Sequence, residues 1–256
     1  MSDLLVIDRP DDRVLRIALN RPEKRNPFDT ATRDEFYGVL DEALEDDTVR
    51  ALIITGKGGT FCAGGDVATM GSYDERTGSD RMAKNHVVVR RLASAPKPVV
   101  AAVEGFAMGA GAGLALLCDA IAAGQGAKIG FPFFNLGLVP DYGIAHTLPQ
   151  RIGFGPARLI LMQARTVKSD EALRLGLFDE VVADADVQQS ALDLAKRLAA
   201  QPAGAQARLK RMLNAEPTSL DHALDLERTY QAMSFISPDH QEGVAAFKEK
   251  RAPKFS

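Results

Sequence analysis

The chain has 256 residues, 46% of them hydrophobic and 25% charged, with a formal net charge of -3, the composition of an ordinary soluble protein with room for a large core. A charge so close to neutral excludes a global pull toward nucleic acid or membrane, so any polyanionic ligand has to be held by a local cluster. The two cysteines, Cys62 and Cys118, lie in apolar runs without metal-ligand spacing, which excludes a disulfide scaffold and marks both as reduced core thiols.

Met1-Ser2-Asp3-Leu4 is not a basic patch leading into an apolar stretch, so no secretory signal is expected and the cytoplasm is the expected compartment. Residues 4–8 and 14–19 are short, apolar segments separated by the breaker Pro10-Asp11-Asp12, the pattern of a β-hairpin. Phe36, Val39, Leu40, Ala43 and Leu44 fall on one face of a helix over 30–45. A buried strand follows over 49–55 and ends at Gly56-Lys57-Gly58-Gly59. The order then repeats, with a polar helix over 80–93, a strand over 98–104, a Gly-rich turn, a helix to Cys118, and strand pieces at 120–123 and 127–131. The apolar stretch 99–124 has the ~20 residues a membrane span needs, but Glu104, Asp119 and its glycines break it, so it reads as buried strand, turn and buried helix.

Such alternation predicts an α/β core. After a further strand at 178–182, only helical patterns remain, over 186–200, 203–215, 220–235 and 238–250. The expected division is an α/β core over 1–198 and a helical appendage over 199–256.

Two glycine-rich segments carry the chemistry: Phe61-Cys62-Ala63-Gly64-Gly65-Asp66, and Gly105-Phe106-Ala107-Met108-Gly109-Ala110-Gly111-Ala112-Gly113. Small residues leave backbone N–H groups bare, and a helix N-terminus adds unpaired donors and a favourable dipole. One donor from each segment would make an oxyanion hole for a carbonyl that becomes an enolate, which points to an enzyme acting on an activated acyl group. Alone, the second segment reads first as close helix–strand packing.

Taken in order with Asn135-Leu136-Gly137-Leu138-Val139-Pro140-Asp141-Tyr142-Gly143, these segments resemble the crotonase (enoyl-CoA hydratase/isomerase) superfamily, and the resemblance runs from Leu19-Asn20-Arg21-Pro22 to Phe247-Lys248-Glu249-Lys250-Arg251. It implies a crotonase-like (ClpP/crotonase) spiral of ββα units with a C-terminal helical appendage that forms a homotrimer or hexamer. It also implies an acyl-CoA substrate, coenzyme A being part of that substrate, with no metal or redox cofactor. The backbone donors would be Gly65 and Ala110. Coenzyme A would lie along Lys24, Arg25 and Asn26 for its nucleotide and along Ala63, Gly64, Asp66 and Val67 for its pantetheine. Phe247 and Lys250 would hold the adenine ring and the 3'-phosphate, often those of a neighbouring subunit. Read from residue types alone, Lys248, Lys250, Arg251 and Lys254 are a solvated helix face, and Asp66 and Asp119 are structural caps.

Hydratases of this superfamily use two glutamates, and the matching positions here are Gly113 and Phe133. Neither side chain can move a proton, and each general acid or base is worth ~10²–10⁴ in rate, so hydratase activity is not expected. Asp141 is the remaining carboxylate at a plausible place, and the isomerase branch, which includes Δ3,Δ2-enoyl-CoA and ring-1,2-epoxyphenylacetyl-CoA isomerases, carries an acid there. Ile144-Ala145 departs from the Gly-Thr usual in the latter. By itself Pro-Asp-x-Gly is turn chemistry. Phe131, Phe133, Phe134, Leu136, Val139 and Tyr142 would make the surrounding pocket apolar and raise the carboxyl pKa toward that of a working base. His86 reads as a wall of that pocket. Its spacing to Asp141 also resembles 4-chlorobenzoyl-CoA dehalogenases, although the tryptophan of that branch is Phe133 here. An acyl-CoA hydrolase and a non-catalytic acyl-CoA binder complete the alternatives.

Overall fold

A computed structural model describes residues 3–66, 71, 73–216 and 218–255. Strands β1 (Leu5–Asp11) and β2 (Val14–Leu19) form the expected antiparallel hairpin, with β1 running on through Pro10 past a register shift between Asp8 and Asp11. Pro10 is tolerated because β1 is an edge strand. Helix α1 (Thr30–Glu45) starts where Asp29 accepts the Thr32 N–H at 3.0 Å, and it buries Phe36, Leu40, Ala43 and Leu44. Strand β3 (Ala51–Gly56) pairs parallel to β2, Leu15 standing opposite Leu52.

Helix α2 (Glu75–Ala93) begins before the expected position, because Asp74 and Thr77 form a reciprocal capping box upstream of the apolar periodicity. Strand β4 (Val99–Val103), the short β5 (Phe106–Met108) and helix α3 (Ala110–Leu116) follow. Next come β6 (Ala120–Gly124) and β7 (Lys128–Gly130). Residues 144–175 hold four elements the sequence pattern does not reveal: α4 (Ile144–Ile152), α5 (Phe154–Met162), β8 (Thr166–Lys168) and α6 (Ser169–Leu175). Pro149, Gly153 and Gly155 read as breakers that interrupt the Ile144, Leu148 and Ile152 stripe of α4, and the exposed Phe154, Leu159 and Met162 blur that of α5. Strand β9 (Glu180–Val182) precedes α7 (Val187–Ala199), α8 (Ala203–Asn214), α9 (Leu220–Phe235) and α10 (Pro238–Glu249).

The larger sheet has the order β1-β2-β3-β4-β6-β9 and is parallel apart from the first hairpin. A second sheet, β5-β7-β8, stands beside it. The central strands β4 and β6 are apolar throughout, and β3 nearly so, because both faces are covered. Leu52, Ile54 and Val99 face the main core with α1 and α3, while Ile53, Val100 and Ala102 meet Val187, Ala191 and Ala195 of α7. Asp119 is a structural group, as its residue type suggests, accepting from the Val99 N–H and from Lys210 Nζ of α8, both at 2.7 Å. No helix among the described residues is long and apolar enough to cross a membrane.

Cys62 and Cys118 are buried free thiols. Burial pushes the Cys62 thiol up to about 12 and raises Cys118 as well. Since the thiolate is the reactive form, neither cysteine is expected to react with a disulfide reagent at pH 8 in the native protein, and both are expected to titrate once the chain is unfolded in denaturant. A fast native thiol would contradict this.

Candidate active site

The first glycine-rich segment is drawn against the second by backbone pairing. Cys62 N–H donates to Phe106 O, and Met108 N–H to Cys62 O, each at 2.9 Å, so the loop forms a bridge beside β5. Gly64 takes φ +100°, and a Cβ there would come within 2.8 Å of Met108 O. Gly111 lets α3 begin directly on the Cys62 backbone, because a Cβ at that position would lie 2.4 Å from Cys62 O. The spacing of small residues is thus a packing requirement that also brings two bare stretches of backbone together.

Ala110 is the first residue of α3, and Gly109 at its N-cap supplies no side-chain cap. The Ala110 N–H therefore lacks an intrahelical partner. An added Cβ on Gly64 would be 3.7 Å from that nitrogen. Gly64, Gly65, Gly109 and Ala110 all line one cavity of about 130 Å³.

Asp141 lines the same cavity. Its backbone is a turn, as its flanking residues suggest, for Asp141 O accepts the Ile144 N–H at 3.1 Å, and Tyr142 and Gly143 follow with φ of 51° and 74°. The side chain does something else. Oδ1 is buried and has no hydrogen-bond partner. Burial pushes the carboxyl up to about 6, against the smaller opposing pulls of its own backbone N–H and the charge of Arg81. A buried carboxylate oxygen without a partner is costly to the fold, and such groups concentrate where a proton is moved.

Gly113 faces the ring that follows Asp141. A Cβ on Gly113 would lie 2.4 Å from the Tyr142 Cβ, so the volume a longer residue would need is already filled. Tyr142 is 3% exposed and meets Phe28 edge to face at a centroid distance of 5.9 Å. Phe133, Leu136 and Leu138 complete the apolar side of the cavity.

Several expected positions lie elsewhere. His86, half-buried on α2, is not a wall of the cavity; the α2 residues that reach it are Arg81 and Asn85. Phe131 is core, and Phe134 and Val139 face solvent, so the aromatic pocket is smaller than the run of apolar residues suggests. Asn26 is 1% exposed, and its amide serves the loop, donating to Lys57 O at 2.8 Å and Thr60 O at 2.6 Å and accepting from Arg21 N at 2.8 Å. Lys24 and Arg25 are exposed, and the Arg25 carbonyl accepts the Ala63 N–H at 2.9 Å, which ties their turn to the glycine-rich loop. Ala63 lines the cavity, Asp66 is half-buried just beyond it, and Val67 lies outside the described residues. Phe247, 85% exposed, and Lys250 sit on or next to α10 and do not reach the cavity within one chain. The residue types do not announce Arg81 and Asn85; their four-residue spacing, which puts both on one helix face, is the signal that was available.

Residues 10–256 match the family model described as enoyl-CoA hydratase/isomerase. The chain is 37% identical to a 1,2-epoxyphenylacetyl-CoA isomerase of Escherichia coli K12, with 98% of each chain covered. It is 33% identical to a short-chain-enoyl-CoA hydratase of Clostridium acetobutylicum, covering 96% of this chain and 95% of that one. Among solved structures, an enoyl-CoA hydratase from Bacillus anthracis superposes with a TM-score of 0.93 at 29% identity, covering 98% of both chains.

Proposed function

The chain belongs to the enoyl-CoA hydratase/isomerase family, whose members act on CoA thioesters, and on that premise we propose that it is an acyl-CoA isomerase with Asp141 as its single proton carrier. One observation carries the reading: Asp141, which holds the only unpartnered buried carboxyl oxygen among the described residues, lines the cavity that Gly65 and Ala110 also line. In the forward reaction the Asp141 carboxylate removes a proton from C2 of a 3-enoyl-CoA. The electron pair passes to the thioester oxygen, which the Gly65 and Ala110 N–H groups stabilise as it becomes an enolate. The same carboxyl returns its proton at C4, leaving the double bond between C2 and C3. The 37% identity to a ring-epoxide isomerase favours a variant in which the enolate forms beside a strained ring.

The missing hydratase pair supports isomerisation over hydration. Gly113 and Phe133 occupy those positions, and Tyr142 fills the space beside Gly113. Introducing Gly113→Glu is expected to leave crotonyl-CoA hydration undetected and to destabilise the fold by about 1–3 kcal/mol through overpacking. Thermal melts and the loss of enoyl absorbance check both outcomes, and a stable, hydrating variant would sink the reading. The dehalogenase alternative loses support because His86 is not a cavity wall.

Coenzyme A in this proposal follows the Lys24–Arg25 turn and the Ala63–Asp66 backbone, with Phe247 and Lys250 supplied across a subunit contact. Exposed Leu220, Ile236 and Phe247 on or near α9 and α10 support a trimer or dimer of trimers, since apolar surface of this kind marks an interface. Sedimentation at micromolar concentration tests that assembly. The central experiment is Δ3-to-Δ2 isomerisation by wild type and Asp141→Asn: turnover by the first and not the second supports the proposal, while binding without turnover by either supports a non-catalytic binder.

A further inference from the structure

One wall of the cavity is polar in a way an aliphatic acyl chain cannot use. Arg81 and Asn85 stand one turn apart on the same face of α2, and both line the cavity. Arg33, 4% exposed, donates from Nη1 to Asn85 Oδ1 at 2.7 Å. A guanidinium has no acceptor, so this contact fixes the orientation of the Asn85 amide. Its oxygen faces Arg33, and its NH2 group is the part left to meet a ligand.

Arg81 is held but not neutralised. Its Nη1 donates to the Tyr73 hydroxyl at 2.7 Å, and its guanidinium lies 5.4 Å over the Tyr73 ring. Among the described residues no carboxylate pairs with it. The other charged groups at the cavity are satisfied: Asp29 pairs with Arg21 and accepts the Thr32 N–H, and Arg33 binds Asp34 Oδ1 at 2.6 Å. Asp141 and Arg81 line the same cavity, and no ion pair joins them.

We propose that the acyl group this enzyme receives carries a carboxylate at the end remote from the thioester, bound by the Arg81 guanidinium and the Asn85 amide. The inference rests on the isomerase reading for the chemistry, but not for the recognition. A hydrocarbon tail would desolvate the donors left free on both groups and return no hydrogen bond. A carboxylate meets both with charge-assisted bonds, and the planar fork of arginine suits it better than a lysine would.

The test measures binding of saturated esters, which cannot isomerise, so its outcome is independent of turnover. Calorimetry would compare CoA esters of five- and six-carbon dicarboxylic acids with those of the monocarboxylic acids of equal length. Wild type is expected to bind the diacid esters at least about tenfold more tightly, equivalent to about 1.4 kcal/mol. Arg81→Met is expected to abolish that preference by weakening the diacid esters while the monoacid esters bind as tightly as to wild type or more tightly, since the unmet guanidinium is gone, and Arg81→Lys to keep part of it. A melt of Arg81→Met in the presence of the monoacid ester shows whether the fold and CoA site survive. Equal or weaker binding of the diacids by wild type would overturn the proposal, as would an equal loss for both series in Arg81→Met. If the diacid preference holds while no 3-enoyl ester is isomerised, the recognition stands and the isomerase reading falls.

Discussion

Asp141→Asn is expected to lower kcat/KM for isomerisation by about 10²–10⁴ while thioester affinity stays close to that of wild type. The two carboxylate steps, removal at C2 and return at C4, both vanish in the amide, whereas the backbone donors are untouched. Stopped-flow measurement of the conjugated enoyl absorbance checks the rate, and calorimetry with a saturated ester checks binding. The pH profile follows from the cavity. With burial holding the carboxyl up to about 6, the base form is present above that pH, so kcat/KM is expected to fall tenfold per unit below it. A rate limb near the ordinary carboxylate value of 3.8 would mean that Asp141 is not the base.

The same substitution has a second sign. A carboxyl whose folded pKa is raised disfavours the native state wherever it is ionised, and for Asp141 the cost is complete above about 6. It declines as pH falls toward 3.8 and is absent below that value. Asparagine carries no charge, so Asp141→Asn is expected to stabilise the fold at pH 8 by up to about 2–3 kcal/mol and to have little effect at pH 3.5. Lower stability at pH 8 would place the carboxylate in a structural role.

Ala110→Pro probes the other half of the site. Proline is well suited to the first position of a helix, where its missing N–H breaks no intrahelical bond. Gly109 before it has φ 52° and ψ -116°, outside the helical region that a following proline disfavours. The helix is therefore expected to form, while the cavity loses the Ala110 donor and gains a ring carbon in its place. Loss of one oxyanion donor typically costs ~2.7–4 kcal/mol in the transition state, a factor of ~10²–10³ in kcat. Unchanged kcat with a native circular dichroism spectrum would remove Ala110 from the mechanism.

Much of the fold was legible because its signals are local. The hairpin, α1, β3, β4 and the four C-terminal helices follow from apolar periodicity and breakers. The region around 144–175 escaped because Pro149, Gly153 and Gly155 interrupt the pattern and because its exposed apolar residues blur the helical stripe. The site divided in the same way. Gly65, Ala110 and Asp141 stand out by motif, while Arg81 and Asn85 lie in a polar helix, where only their four-residue spacing links them and the residue types match the solvent face.

The sequence by itself determined the parallel α/β core, the pair of bare backbone segments and the absence of side-chain acids at Gly113 and Phe133, because these depend on residue type and on near neighbours along the chain. Only the tertiary structure decided that Asp141 Oδ1 is buried without a partner, that Tyr142 fills the space beside Gly113, and that Arg81 rather than His86 faces the cavity. Desolvation, packing volume and side-chain direction depend on residues far apart in the chain, and they take values only when the start of α3, α2 and the turn before α4 close around one space.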